Sequence, residues 1–512
     1  MESRSNEQHD LNWVSVLEHH AARTPDARFA VTGERALTYA GALDQSLRLA
    51  GGLAARGVGF GDVVGLLSYN RVEMLLTVFA ANALGAIAMP INWRLAPPEV
   101  RYLLEHSGAA ALVCDAELID LGNAATDGLG LERIAIGREP SATSTGWRSF
   151  DELAGSAPVQ RVHASGDDVQ RLMYTSGTTG RPKGVMITHA NLAWKNAAHV
   201  AELGLNAADV GLACGPLYHV GALDLITTSL ISVGATTIIH RQFDPSAVVD
   251  EIERSGVTCT WMAPAMLRAV LDEPGIGSRD MSSLRLIIAG GAQLPIPFVE
   301  RLQTTFPNAW LADAYGLTET VSGDTFLDRA SVRSKLGSVG RPCLYLDLQI
   351  WDPDGAPVPP GDRGEVVLRG PKVFAGYWRD PDATAAAFAG GWFHTGDVGV
   401  VDDDGYLFIV DRLKDLIISG GENIAGSEVE RVLEDHPDVL EVAVVGRPHE
   451  RWGEVPVAHV VARPGTAPTA EELVDHCRPR LAKFKVPADV VFLDALPRNP
   501  SGKVLKRELR GD

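Results

Sequence analysis

The stretch YTSGTTGRPKG, Tyr174 to Gly184, lies between the apolar runs Leu172-Met173 and Val185-Met186-Ile187. Gly177, Gly180 and Gly184 let the chain turn freely and come close to a ligand. Successive N–H groups in such a turn point inward as an anion-binding nest. Thr175, Ser176, Thr178 and Thr179 add hydroxyls, and Lys183 adds a positive charge. The apolar flanks read as strand ends, so the loop is a phosphate cradle at the rim of a sheet. A Walker loop ends in Gly-Lys-Ser/Thr, whereas here Pro182 precedes Lys183 and Gly184 follows it, which excludes that motif. Taken alone, an ordinary Gly/Ser/Thr-rich connection stays open as a reading.

Outward from this loop, apolar strands alternate with helical stretches. The spacing predicts helices over 37–53 and 72–84 and strands over 63–67, 86–89, 110–113, 235–239, 258–261 and 286–288. Continuous apolar strands between helices make an α/β protein with mainly parallel sheets covered on both faces. After about residue 336 the strands 346–350 and 365–368 stand between Asp, Pro and Gly turns, which reads as a β-rich subdomain closing an N-terminal domain of residues 1–411. Residues 412–512, with strands at 442–445 and 455–461 and a helix near 470–484, are long enough for a small α+β domain of their own.

With 512 residues, 46% hydrophobic and 22% charged, the chain can bury a large core. A net charge of −19 opposes nucleic acid and anionic lipid as partners. The five cysteines, Cys114, Cys214, Cys259, Cys343 and Cys477, show no CxxC spacing, so neither a zinc site nor a disulfide framework is indicated, and a reducing cytoplasm fits. The N-terminal MESRSNEQHD lacks the apolar core of a secretory signal. The apolar stretch 77–91 is interrupted by Asn82 and Gly85 and is too short for a bilayer. A cytoplasmic protein with no integral membrane segment is therefore expected.

Six further stretches follow in order: GGA at 290–292, DAYGLTE at 313–319, WFHTGD at 392–397, DRLKD at 411–415, PRNPSGK at 497–503 and, ahead of them all, PLYHVG at 216–221. Individually they read as strand-to-helix turns, a turn aspartate, a solvated linker, a cationic tail and a lone histidine. In this order, with the glycine-rich loop, they resemble the adenylate-forming superfamily, and in particular its acyl-CoA synthetases and fatty-acid–CoA ligases. The resemblance runs through essentially the whole chain.

That resemblance implies the following roles. The loop from Thr175 to Gly184, with Ser176, Gly177, Thr178, Thr179, Gly180 and Lys183, would hold the β- and γ-phosphates of ATP. Backbone at Gly291 and Ala292 and the stretch Asp313, Ala314, Tyr315 and Gly316 would form the adenine pocket, with Tyr315 stacking on the base and Asp313 accepting from its amino group. Thr318 would touch the α-phosphate and Glu319 would hold Mg²⁺, which favours carboxylate and phosphate oxygens. Asp397 and Arg412 would bind the ribose, Lys414 would be the hinge and Lys503 the adenylation lysine. His219 would stand beside the carboxylate substrate, with Val220, Gly221, Trp261, Met262, Met266 and Val321 lining the acyl pocket. Gly420 and Gly421 would border a pantetheine tunnel, and Trp452 and Phe484 would contact coenzyme A. Two positions depart from the family pattern: Asp411 replaces a usual glycine, and Gly426 stands where a proline is common.

The implied reaction joins a carboxylic acid to AMP with loss of pyrophosphate, and the thiol of coenzyme A then displaces AMP. Val220 replaces the aspartate that amino-acid-activating relatives place there, which argues against an α-amino acid. A medium- or long-chain fatty acid or bulky hydrophobic acid leads, and an aryl acid of the benzoate or cinnamate type comes second. An acyl-AMP ligase loading a carrier protein and a luciferase-like oxidase are the other readings, and a homo-oligomer stays open.

Overall fold

The computed structural model describes residues 10–137, 146–175, 181–290, 296–412, 415–419, 422–449, 452–481, 483–499 and 502–510. The chain forms two compact units: one runs to Asp347 and adds Leu368–Phe393, and the other takes Leu348–Val367 and the chain from His394.

Two mainly parallel sheets build the first unit, as the alternation of strands and helices predicts. The seven-stranded sheet runs in the order Arg148–Ser149, Glu132–Ile136, Ala109–Asp115, Val63–Leu67, Ile87–Ile91, Val169–Thr175, Lys183–Thr188. Its neighbours are parallel until the last pair, which is an antiparallel hairpin. The nine-stranded sheet has Trp310–Tyr315, Leu286–Gly290, Cys259–Trp261, Val210–Ala213, Thr236–Ile239 and Arg28–Thr32 as its parallel centre, with antiparallel strands at both ends. Val63–Leu67 and Ile87–Ile91 are buried at every residue, as strands covered on both faces must be. The helix Val72–Ala83 is buried along its whole length, so it lies between layers. Its one acid, Glu73, is paired with Arg35 and Arg71.

A second kind of burial shapes this unit. Arg171 and Asp224 are both completely buried, and one guanidinium nitrogen donates to both carboxylate oxygens at 2.7 and 2.8 Å. Asp224 belongs to Gly221–Thr227, a π-helical turn stabilised by the Thr227 hydroxyl donating to the Ala222 carbonyl at 2.8 Å. Lys195 closes the cluster by donating to the Asp224 carbonyl and to the hydroxyls of Thr228 (2.7 Å) and Ser229 (3.1 Å). Burial pushes the Lys195 ammonium down to about 7.

In the second unit, Glu422–Ile424, Ile417–Ser419, Gly453–Ala462 and Val439–His449 lie side by side, and Asp489–Phe492 joins Gly453–Ala462 in parallel. The helices Gly426–Glu434 and Ala470–Cys477 cover this sheet through Val429, Leu433 and Leu473. The helix expected over 470–484 stops at Cys477, because Pro479 lacks an N–H and its ring clashes with the preceding turn. All five cysteines are unpaired and buried. Burial raises Cys214 and Cys259 to about 12 and Cys343 and Cys477 to about 11. Among the described residues, no helix is long and apolar enough to cross a membrane.

The Arg171–Asp224 pair gives a direct stability test. Asp224→Ala leaves a buried guanidinium without its counter-charge and should lower the unfolding free energy in urea by about 3–5 kcal/mol. The double variant Arg171→Met/Asp224→Leu should recover most of that loss; failure to recover would mean the pair contributes net stability beyond its own desolvation.

Candidate active site

The strands on either side of the glycine-rich loop form a hairpin in which Thr175 stands opposite Lys183 and Tyr174 opposite Gly184. Ser176, Gly177, Thr178, Thr179 and Gly180 lie outside the described residues. Thr188 ends the returning strand and caps the helix His189–Leu203. Its hydroxyl accepts from Asn191 N–H at 3.1 Å, while the Asn191 side-chain oxygen accepts from Thr188 N–H at 2.9 Å. The Asn191 amide nitrogen then donates to the carbonyls of Pro371 (2.9 Å) and Val373 (2.8 Å).

This anchors a segment that the sequence motifs did not point to. Ala375 N–H donates to Met186 O, Met186 N–H to Gly376 O, and Trp378 N–H to Gly184 O, so residues 375–378 run beside the strand leaving the loop. Tyr377 is thereby held between two of the expected groups. The Lys183 ammonium sits 4.8 Å from the centre of its ring, and its hydroxyl donates to Glu319 Oε1 at 3.0 Å. Burial and the Glu319 carboxylate hold the Tyr377 phenol well above its usual range. The only hint in the sequence is the run Gly376-Tyr377-Trp378, which names no chemistry without the fold.

Asp313, Ala314 and Tyr315 end the strand Trp310–Tyr315. Asp313 is 7% exposed, and its Oδ1 has no hydrogen-bond partner among the described residues. Burial raises this carboxyl to about 7. An orphaned buried oxygen at a strand end suits a ligand that brings its own donor, as the amino group of adenine does. Gly316 must be glycine, since a Cβ there would lie 2.4 Å from Gly323 N. Thr318 and Glu319 open a short 3-10 turn ending at Thr320. Beyond it Val321, Ser322 and Gly323 are all left-handed, at φ of 55°, 65° and 63°. For the two non-glycine residues this costs about 1–3 kcal/mol each and persists only where the surroundings impose it. Gly291 and Ala292 lie outside the described residues.

At the expected acyl pocket, the exposed His219 ring lies nearly parallel to the Trp261 indole, with centroids 6.4 Å apart and an interplanar angle of 21°. Its Nδ1 accepts from Gly221 N–H at 3.1 Å. A Cβ on Gly215 or on Gly221 would come within 2.6 or 2.5 Å of the indole, so both glycines give it room. Val220, Met262 and Val321 are buried, and Met266 is half-buried on the helix Pro264–Leu271.

In the second unit, Asp397 and Arg412 face each other across the antiparallel strands Phe393–Val401 and Leu407–Arg412. Asp397 is buried, and its N–H donates to the Thr395 hydroxyl at 3.1 Å. Lys414, Gly420 and Gly421 lie outside the described residues. Trp452 and Phe484 are 45% and 42% exposed, and the Lys485 ammonium lies 5.8 Å from the centre of the Phe484 ring. Lys503 is exposed; Asn499 N–H donates to the Lys503 carbonyl and Lys503 N–H donates to the Asn499 side-chain oxygen, both at 2.8 Å. The two departures also find their places. Asp411 accepts from Ser427 N–H at 3.3 Å, and a Cβ on Gly426 would meet the Val444 carbonyl at 2.7 Å. Proline at 426 is thus sterically barred in this arrangement.

Residues 17–378 match the AMP-binding enzyme family, and residues 428–503 match the AMP-binding enzyme C-terminal domain. A feruloyl-CoA synthase of an Amycolatopsis species is 42% identical over 492 residues, which is 96% of each chain. The long-chain-fatty-acid–CoA ligase FadD13 of Mycobacterium tuberculosis is 38% identical over 93% of this chain and 92% of its own. The solved structure of o-succinylbenzoate coenzyme A synthetase from Bacillus subtilis, in complex with ATP and magnesium, aligns with a TM-score of 0.85 at 34% identity, covering 98% of this chain and 99% of that one. On likenesses that span nearly its whole length, the chain belongs to the AMP-binding enzyme family and is an acid–thiol ligase.

Proposed function

We propose that this ligase converts a flat, hydrophobic aryl acid of the hydroxycinnamate class to its coenzyme A thioester, with ATP consumed to AMP and pyrophosphate. The observation that carries the reading is the acyl wall: the Trp261 indole laid over Gly215 and Gly221, with the His219 ring nearly parallel to it. Such walls match a planar ring, and the feruloyl-CoA synthase likeness at 42% identity points the same way. This puts an aryl acid ahead of the aliphatic acid that the sequence motifs favoured, and the FadD13 likeness keeps the fatty acid as second reading.

The chemistry starts from a difficulty. A carboxylate is a poor electrophile, since its charge repels nucleophiles and oxide is a poor leaving group. Attack on the α-phosphorus of ATP turns it into a mixed anhydride with AMP as leaving group. Catalysis of such a transfer is mostly positioning and charge neutralisation. Lys183 supplies positive charge for the β- and γ-phosphates, Thr318 a hydroxyl for the α-phosphate, and Glu319 a carboxylate for Mg²⁺, which would neutralise phosphate charge. Tyr377 contacts both groups, with the Lys183 ammonium beside its ring and the Glu319 carboxylate accepting from its hydroxyl. Asp313 accepts from the adenine amino group, Asp397 and Arg412 hold the ribose, and Lys503 serves the first half-reaction. Trp452 and Phe484, both partly exposed, are the aromatic candidates for contact with coenzyme A.

Three outcomes test this account. Pyrophosphate release and thioester formation, measured with hydroxycinnamates and with fatty acids of eight to sixteen carbons, should give kcat/KM at least tenfold higher for the aryl acids. Higher values for fatty acids would sink the aryl reading, and pyrophosphate without thioester would redirect the search to a carrier-protein thiol. Lys503→Ala should slow adenylation by about 10²–10³, the usual effect of losing one charge-stabilising donor. The same variant should still convert a supplied acyl-adenylate to thioester, and equal loss of both steps would remove Lys503 from the assigned role.

The third concerns pH. Because the Asp313 carboxyl titrates near 7 and its anion is the better acceptor, nucleotide binding must expel a proton below that pH. AMP affinity measured by calorimetry should therefore weaken from pH 8 to pH 6, by at most about tenfold per pH unit. Asp313→Asn should flatten that dependence; an unchanged slope would assign it elsewhere.

A further inference from the structure

The turn that follows the expected phosphate and metal groups is gripped by a buried cation. Lys372 is 1% exposed, and its ammonium donates to the carbonyls of Ser322 (2.8 Å) and Gly323 (2.6 Å) and to Asp324 Oδ1 (2.8 Å). Those bonds occupy all three donors of the ammonium. Asp324 is completely buried, and its other oxygen accepts from the Thr320 hydroxyl at 2.5 Å while its N–H donates to the Tyr315 carbonyl at 2.7 Å. The Gly323 carbonyl also lies 3.0 Å from His199 Nε2, and Gly323 has no room for a side chain against that ring.

Lys372 does not float. Asn191 binds the carbonyls of its two neighbours, Pro371 and Val373, and Phe374 N–H donates to the Glu319 carbonyl at 2.7 Å. The cation therefore reaches the turn from a segment fixed on both sides. Its targets are Ser322 and Gly323, two of three successive left-handed residues. Local sequence does not hold such a run, least of all with a β-branched residue at its start, so the restraint must come from outside the turn.

We propose that Lys372, paired with Asp324, is a positioning residue of this ligase: its buried ammonium fixes the left-handed turn Val321–Gly323 and so holds Thr318 and Glu319 in place for the adenylation step. The proposal rests on the reading of Thr318 and Glu319 given above. It predicts that losing the donors at position 372 slows adenylation more than it slows transfer of the acyl group to the thiol, since the metal and α-phosphate groups serve the first step.

Two double variants test it, each free of a stranded buried charge. Asp324→Asn/Lys372→Met removes every donor at position 372, and Asp324→Asn/Lys372→Gln keeps there an amide that is one atom shorter than the lysine. The methionine form should lose at least tenfold in the rate of pyrophosphate release. The glutamine form should lose three- to tenfold. Both should convert supplied acyl-adenylate to thioester within twofold of the parent enzyme. Equal rates for the two variants, or parallel loss in both half-reactions, would reduce Lys372 to a packing residue and overturn the proposal. If methionine yields no soluble protein, the glutamine form decides alone: unchanged adenylation, or equal loss in both steps, overturns it. Glu319→Gln measured alongside separates this from the site reading. Should that variant keep full adenylation, the role given to Glu319 fails; should it lose adenylation while the Lys372 variants do not, only the clamp fails.

Discussion

Four backbone hydrogen bonds set the geometry on which the proposed chemistry depends. Trp378 N–H to Gly184 O, Met186 N–H to Gly376 O, Ala375 N–H to Met186 O and Phe374 N–H to Glu319 O lay one extended segment beside the strand that leaves the glycine-rich loop. Each contributes about 0.5–1.5 kcal/mol net, which is modest in a chain of this size. Their larger effect is spatial. They bring stretches almost two hundred residues apart into register, so that a lysine, a phenol and a carboxylate face one another at fixed distances. A phosphate site needs such fixity, because charge neutralisation gains little if the cations must first reorganise.

The same unit also holds several buried charges. Arg171, Lys195 and Lys372 are buried with Asp224 and Asp324, in a protein whose net charge is −19. Ion pairs this deep add little stability over well-packed apolar side chains, since each charge gives up its hydration. What they do supply is intolerance of error. A shifted register between the strand carrying Arg171, the π-helical turn carrying Asp224 and the turn carrying Asp324 would strand a charge in the core. The segments that need the most accurate placement are the ones these charges connect.

How much of this could be read in advance depends on the kind of signal. Strands such as Val63–Leu67 announce themselves by continuous apolar character, and their parallel arrangement follows from the helices between them. Lys183, Asp313 and Glu319 are visible because each sits in a short run of glycines, hydroxyls and charges. Tyr377 and Lys372 were not legible, since nothing local distinguishes a tyrosine beside a glycine or a lysine after a proline. Their meaning arises from contacts with Glu319 and with Ser322 to Asp324, some fifty residues earlier in the chain. Trp261 falls between these cases: the residue was singled out, but its flat packing on Gly215 and Gly221 is a fact of the fold. The helix expected over 470–484 is shorter than its length suggests because one residue, Pro479, outweighs the helical character around it.

An enzyme that makes an acyl-adenylate for capture by a thiol holds a reactive electrophile inside a protein with five thiols of its own. The attacking species is the thiolate. Burial holds Cys214 and Cys259 near 12 and Cys343 and Cys477 near 11, and raises Cys114 as well. At neutral pH such thiols stay almost wholly protonated, and all five are buried. The desolvation that makes these cysteines good core residues also keeps the enzyme from acylating itself, so the activated acid waits for the sulfur that comes from outside.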